Sequence, residues 1–320
     1  MTNAEALPPM SGSVDDSRDL SAGLIGAAIA VCAWSTGTVL AKGIDMGGLA
    51  IGTYRFWMFS LALILWMKLR GQTFNLHSIK ATTFGGIALG ADIAFFFSAV
   101  KETSIVNATI IGSLQPILVG IIAARFFGEK IRAKDALWSL VALAGVIVVV
   151  TTSTGDDVSS LRGDLLAAAA MFSWSAYFIA SKRSKGRVTP TEFTAGTALW
   201  TAVIVTPLGF LFGQDMSWPS AENWLLLIAM AVGSGIVGHV LMNWSLVRIP
   251  LWIGSTFTLL IPVFSAIFAW IFLDEPLVAR QIIAMAVVIG ALMVIVRNQS
   301  AAAKSEQRRI SDATTPEVTT

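Results

Sequence analysis

Ten apolar stretches, each about the 20 residues needed to cross the hydrocarbon core of a bilayer, account for most of this chain. They run roughly from 21 to 42, 47 to 68, 80 to 101, 104 to 126, 133 to 152, 163 to 183, 191 to 213, 222 to 245, 251 to 273 and 277 to 297. In lipid such a stretch satisfies its backbone as an α-helix, whose N–H and C=O groups bond within the segment. Connections are short nearly everywhere, which leaves no room for an extramembrane domain. The expected fold class is an all-α polytopic membrane protein of ten transmembrane helices. Composition agrees. Only 13% of residues are charged, against about 25% in soluble domains, too few to cover a water-facing surface.

The placement of those charges orients the chain. With the N-terminus inside the cell, seventeen of the 22 lysines and arginines fall in cytoplasmic segments, four (Lys42, Lys101, Arg162, Arg280) fall outside, and Arg55 lies within a span. The positive-inside bias therefore places both termini in the cytoplasm, as expected of a multi-pass protein of the cell (inner) membrane. The first twenty residues carry Arg18 against Glu5, Asp15, Asp16 and Asp19, the wrong charge for a secretory signal. Residues 1–20 and 299–320 are expected to be disordered cytoplasmic tails, because both are polar and poor in apolar residues. Cys32 is the only cysteine, so no internal disulfide forms.

The sequence also repeats itself. AAIAVCAWSTGTVLAK (27–42) and AAAAMFSWSAYFIASK (167–182) share Ala27/Ala167, Ala28/Ala168, Ala30/Ala170, Trp34/Trp174, Ser35/Ser175 and Lys42/Lys182. PILVGIIAARFFGEKIRAKD from Pro116 matches PVFSAIFAWIFLDEPLVARQ from Pro262, with Glu129 opposite Glu275. Two five-helix halves, 21–153 and 162–298, are thus related. Because five is odd, the second half must enter the membrane in the opposite sense. Inverted halves of this kind are common in secondary transporters, which open a central site to one side and then to the other.

At this level the chain resembles the EamA family of the drug/metabolite transporter superfamily. The resemblance rests on AWSTGTVLAK, TYRFWMFSLALIL, QPILVGIIAARFFGEKI, RGDLLAAAAMFSWSAYFIASKR and IPVFSAIFAWIFLDEPL, and covers the whole ten-helix region. It implies a secondary transporter, an exporter of amino acids, other metabolites or amphipathic drug-like compounds, working by alternating access around a central cavity.

Several polar residues fall deep in spans, where they demand a partner or a cavity. Asp92, in GADIAFFF, is the acidic residue nearest the middle of a span, and Arg55, in TYRFW, lies at a similar depth in the preceding helix. They either pair with each other, or Asp92 serves a proton or the substrate. His239, in VGHVLMNWSL, lies one residue off the repeat equivalent of Asp92, since their separation is 147 against an offset of 146. It is a second candidate for a coupling proton or a carboxylate, against an ordinary hydrogen-bonded histidine. Trp34 and Trp174 sit far from the interfacial belts that tryptophan prefers, as cavity walls or as packing. Ser35, Ser175 and Thr38 offer hydroxyls beside them, and Tyr177, Asn243 and Gln115 are further substrate candidates. Pro116 and Pro262 each remove a backbone hydrogen bond near the middle of a span. The carbonyls of Gly112 and Thr258 are left without their usual donors, so these turns are candidate hinges. The glycine spacings GLAIG (48–52) and GIALG (86–90) permit close helix packing. Glu129 and Glu275 are expected to shape loops.

The expected partners are a small-molecule substrate and the lipid bilayer, with a coupling proton as a further candidate. Basic residues form no patch for nucleic acid. Two distant histidines, one cysteine and no HExxH or GxSxG motif leave no constellation for a metal, a cofactor or a membrane-embedded enzyme. A channel-like facilitator is the remaining alternative, although a channel more naturally shows rings of repeated polar filter residues.

Overall fold

The computed structural model describes residues 14–152 and 160–314. The expected end of the first half, residue 153, lies outside them, as do most of the N-terminal tail and the last six residues. The described residues contain helices and turns and no strand, and ten helices are long and apolar enough to cross a membrane. Seven run unbroken, in order Val14–Lys42, Gly48–Leu69, Leu76–Ala99, Ala133–Thr151, Leu161–Arg183, Pro190–Leu211 and Ala279–Thr314. The fourth, eighth and ninth spans are interrupted. The chain is therefore an all-α polytopic membrane protein.

Local chemistry sets the helix starts. Ser104, Ser160 and Ser220 each accept an amide hydrogen bond three residues on, from Asn107, Gly163 and Asn223. Asn75 with Ser78, and Thr189 with Glu192, form reciprocal capping boxes, the second with Pro190 pre-set at the first helical position. Both tails depart from expectation. Residues 299–314 continue the last helix, because alanines 301 to 303 are strong helix formers and extending a formed helix carries no nucleation cost. The first helix begins at Val14 rather than near 21, and Asp19 in its extension lies 3.8 Å from Arg248.

The fourth span breaks between Ile105–Gly112 and Gln115–Phe126, and the ninth between Leu251–Phe257 and Leu260–Leu273. Each break lies just ahead of a proline, Pro116 or Pro262, as the missing amide requires. The expected orphan carbonyl at Thr258 is not one. A tightened turn lets the Ile261 amide donate to it at 3.0 Å. Both spans then end alike, on a left-handed residue, Gly128 (φ 64°) in one and Asp274 (φ 53°) in the other. Each ending lets the next amide reach back to a carbonyl six residues earlier, Glu129 to Ala123 at 3.1 Å and Glu275 to Ala269 at 3.3 Å. The eighth span contains a feature absent from the sequence reading. Between Ala221–Met230 and His239–Leu246 it winds as a π-helix over Ala231–Gly238.

Packing follows the duplication. The third span lies against the sixth and seventh, and the eighth against the first and second. The fourth touches the sixth as the ninth touches the first, while second meets seventh, fourth meets ninth and fifth meets tenth. Exchanging the two halves leaves this pattern of neighbours unchanged. Glycines allow the close approaches, in keeping with the two spacings. Phe97 and Ile93 fill the space beside Gly48 and Gly52, and Trp200 and Ile204 fill that beside Gly86 and Gly90. The core holds Phe56, Phe59, Tyr177, Phe178 and Phe193. The outer surface carries Ile25, Ile29, Leu61, Leu65, Phe84 and Ile87, an apolar belt suited to lipid chains and too extensive for water.

Candidate functional site

The deepest polar cluster forms where the π-helix ends. His239, nearly fully buried, lies parallel to Phe59 at 5.8 Å between ring centroids and edge-on to Trp34 at 5.2 Å. Trp34 and Trp174, equivalent positions in the two halves, meet edge to face at 5.1 Å, and Trp174 stacks on Tyr177 at 5.3 Å. Small residues of the π segment make room for these rings. A Cβ on Gly238 would sit 2.5 Å from the Trp34 ring, and one on Gly235 would sit 2.8 Å from Phe59. Gly238→Ala is therefore expected to destabilise the protein by about 1–3 kcal/mol through overpacking. A melting temperature equal to that of the parent would show that the rings have space to retreat.

Hydrogen bonds give the cluster a direction. Asn243, one turn beyond His239, donates from Nδ2 to the Tyr177 hydroxyl at 2.7 Å and to Thr194 Oγ1 at 2.9 Å. Thr194 spends its own proton on the Pro190 carbonyl at 2.8 Å. The Tyr177 hydroxyl, having accepted from Asn243, keeps its proton for Nδ1 of His239 at 3.1 Å. That assigns the imidazole hydrogen to Nε2. Among the described residues the Nε1 of Trp34 and Oδ1 of Asn243 have no hydrogen-bond partner.

Arg55 and Asp92 do not form the ion pair that was one of the two expectations. Among the described residues each lacks a salt-bridge partner. They nevertheless lie level. Gly52 abuts Ile93 and Gly48 abuts Phe97, an antiparallel register that puts Arg55 within a turn of Asp92 in depth. Asp92 shares its helix face with buried Gly85, Leu89 and Ala99 yet stays partly exposed itself. It therefore lies on the inward side of its helix. The Arg55 guanidinium sits 5.2 Å over the Phe56 ring, itself 6.3 Å from His239, and its Nε is buried with no hydrogen-bond partner among the described residues.

The hydroxyls beside the tryptophans are otherwise engaged. Ser175 donates to the Met171 carbonyl at 2.8 Å. Ser35 donates to Val31 O at 2.7 Å and lies 3.2 Å from Ile261 O, at the break in the ninth span. Both are fully buried, so in this conformation they hold helices rather than line a space. Thr38 is exposed and lies 2.9 Å from Ser265 Oγ. Gln115 joins the two broken spans. Its Oε1 is 3.1 Å from Thr258 Oγ1, whose proton goes to Ser255 O at 2.6 Å, while Nε2 has no hydrogen-bond partner among the described residues. Turning the amide over lets Nε2 donate to Thr258.

Phe56, Phe59, Phe178 and Thr194 belong to this cluster and were not singled out from sequence. Phenylalanine is common in any span, and only the glycines of AVGSGIVGH hinted at rings packed there. A concave space of about 380 Å³ lies away from the cluster, between the second and seventh spans, and is walled by Tyr54, Trp57, Met58 and Phe210.

The sequence profile of the EamA-like transporter family matches residues 21–151 and 161–297. The aromatic amino acid exporter YddG of Ancylobacter novellus is 33% identical over 155 residues, 48% of this chain and 52% of that protein, so the chain matches about half the length of that relative. The threonine/homoserine exporter RhtA of Escherichia coli K12 is 25% identical over 272 residues, 83% of this chain and 88% of that one. A crystal structure 24% identical in sequence superposes with a TM-score of 0.77 over 88% of this chain and 99% of its own, which shows the same fold.

Proposed function

From the premise that this chain belongs to the EamA-like transporter family, whose members are transporters rather than enzymes, we propose that it exports small zwitterionic metabolites, amino acids foremost. One observation carries the substrate class. Arg55 and Asp92 lie level inside the bundle, Arg55 over the Phe56 ring of the aromatic cluster, and among the described residues neither has a salt-bridge partner. Opposite charges held inside a membrane-spanning bundle without neutralising each other are costly unless a ligand or water meets both. A zwitterion does so, its carboxylate on Arg55 and its ammonium on Asp92. Its side chain then packs among Trp34, Trp174, Phe56 and Phe59, whose faces also favour cations. The similarity to YddG, an aromatic amino acid exporter, and to RhtA, a threonine/homoserine exporter, supports the same class.

Transport proceeds by alternating access between the inverted halves, with both termini cytoplasmic, and Pro116 and Pro262 mark the turns that bend. Asp92 and His239 are the groups that can carry a coupling proton. Purified protein in liposomes is expected to exchange radiolabelled phenylalanine or threonine saturably, and faster with an imposed proton gradient. Unsaturable flux would identify a channel-like facilitator, and no flux of any of the twenty amino acids would overturn the substrate class.

A further inference from the structure

Four residues left aside by the binding site form a mirrored set. Lys182 ends the sixth span, and Glu129 follows the fourth; Lys42 ends the first span, and Glu275 follows the ninth. Lys42 and Lys182 are repeat equivalents, and so are Glu129 and Glu275. Helix alternation puts the first pair at the end of the bundle where the chain begins and the second at the opposite end. Both pairs are formed, Lys182 to Glu129 at 3.7 Å and Lys42 to Glu275 at 2.5 Å.

Their surroundings differ. The Glu129 carboxylate also accepts the Leu251 and Trp252 amides at 2.7 and 3.2 Å, and Lys182 donates to the Ile249 carbonyl at 2.6 Å. Side-chain exposure there is 18% for Lys182 and 12% for Glu129. The carboxylate thereby ties the fourth span to the start of the ninth and to the end of the sixth. At the opposite end the equivalents of Leu251 and Trp252 are Ile105 and Val106, at the start of the fourth span. Among the described residues Glu275 is bonded to Lys42 alone, and the two side chains are 51% and 56% exposed.

We propose that Glu129–Lys182 and Glu275–Lys42 are two alternating latches, one per face of the membrane, which set the side to which the central site opens. This structure has the first latch closed. The second has let go of the fourth span. In the opposite conformation Glu275 takes the Ile105 and Val106 amides while Glu129 releases those of Leu251 and Trp252. A closed latch exchanges water for charge-assisted bonds, so removing one carboxylate charge tips the equilibrium toward opening at its own end. The proposal rests on the alternating-access reading.

The test uses Cys32→Ala protein with one of two reporter cysteines at equivalent positions, Ser181→Cys beside Lys182 or Ala41→Cys beside Lys42, labelled by a membrane-impermeant maleimide. In the parent, Ala41→Cys is expected to react and Ser181→Cys to be protected. Glu129→Gln should raise Ser181→Cys labelling about tenfold and lower that of Ala41→Cys. Glu275→Gln, at an exposed position, should protect Ser181→Cys further and keep Ala41→Cys reactive. Gln variants that leave both labelling rates unchanged, or that shift them in the same direction, overturn the latches. Saturating phenylalanine or threonine on the parent separates the two ideas. If the parent's labelling responds to these probes while the Gln variants fail to bias it, the latches fail and alternating access stands. If the parent reporters never exchange accessibility under any substrate gradient, alternating access fails and the latches with it.

Discussion

Asp92→Asn is expected to leave the protein as stable as the parent and to raise the KM for an amino acid substrate by about 10- to 100-fold, the worth of one hydrogen bond to a charged group. Asparagine is nearly isosteric with aspartate and keeps an acceptor, but it cannot offset an ammonium or carry a proton. Had Asp92 neutralised Arg55, the same change would strand a buried guanidinium and cost about 3–5 kcal/mol. The absence of that pair predicts instead that Arg55→Gln and Asp92→Asn have additive effects on melting temperature. Combining the two variants in one protein measures this directly. A strong coupling between them would restore the ion pair and remove the zwitterion site. A second readout divides the two roles of the carboxylate. If Asp92 carries the proton, exchange driven by substrate alone survives while the response to a pH gradient vanishes.

Tyr177→Phe should act the other way, on stability before transport. The hydroxyl is the shared atom of the chain from Asn243 to His239, and its loss leaves a buried N–H and a buried ring nitrogen unpaired together. At about 1–3 kcal/mol for each group, the melting temperature in detergent should fall by about 4–10 °C. His239→Phe alone should cost less, since the Tyr177 hydroxyl still accepts from Asn243. Unchanged melting in Tyr177→Phe would mean that water already reaches both groups, so that they line a wet cavity rather than a sealed core.

The ten spans were legible in the sequence because length and apolarity leave the backbone one solution in lipid. The two broken helices were legible too, through Pro116 and Pro262, although the rescue of the Thr258 carbonyl by Ile261 depended on a local tightening that composition does not encode. At the site, Trp34, Trp174, Tyr177, His239 and Asn243 were each marked by polarity or aromatic character at the wrong depth, and they converge. Ser35 and Ser175 looked identical to substrate-facing hydroxyls, yet their bonds to carbonyls one turn back cannot be told from sequence. The relation of Arg55 to Asp92 turned on side-chain direction, which depth alone does not give. Polarity misled at 299–314, where the alanines outweighed the charges.

The π-helix at Ala231–Gly238 bears on how such a site can arise and be lost. A π turn accommodates one residue more than the α turn it replaces, which is the size of the offset between His239 and the position equivalent to Asp92. In a regular α-helix one extra residue would turn everything beyond it by about 100° and shift it by about 1.5 Å, whereas the wide π turn takes it up locally. Regular winding of the same residues would swing His239 away from Tyr177, and Asn243 away from Thr194, with no side chain altered. The winding of this one segment, as much as the residues it carries, therefore aims the histidine.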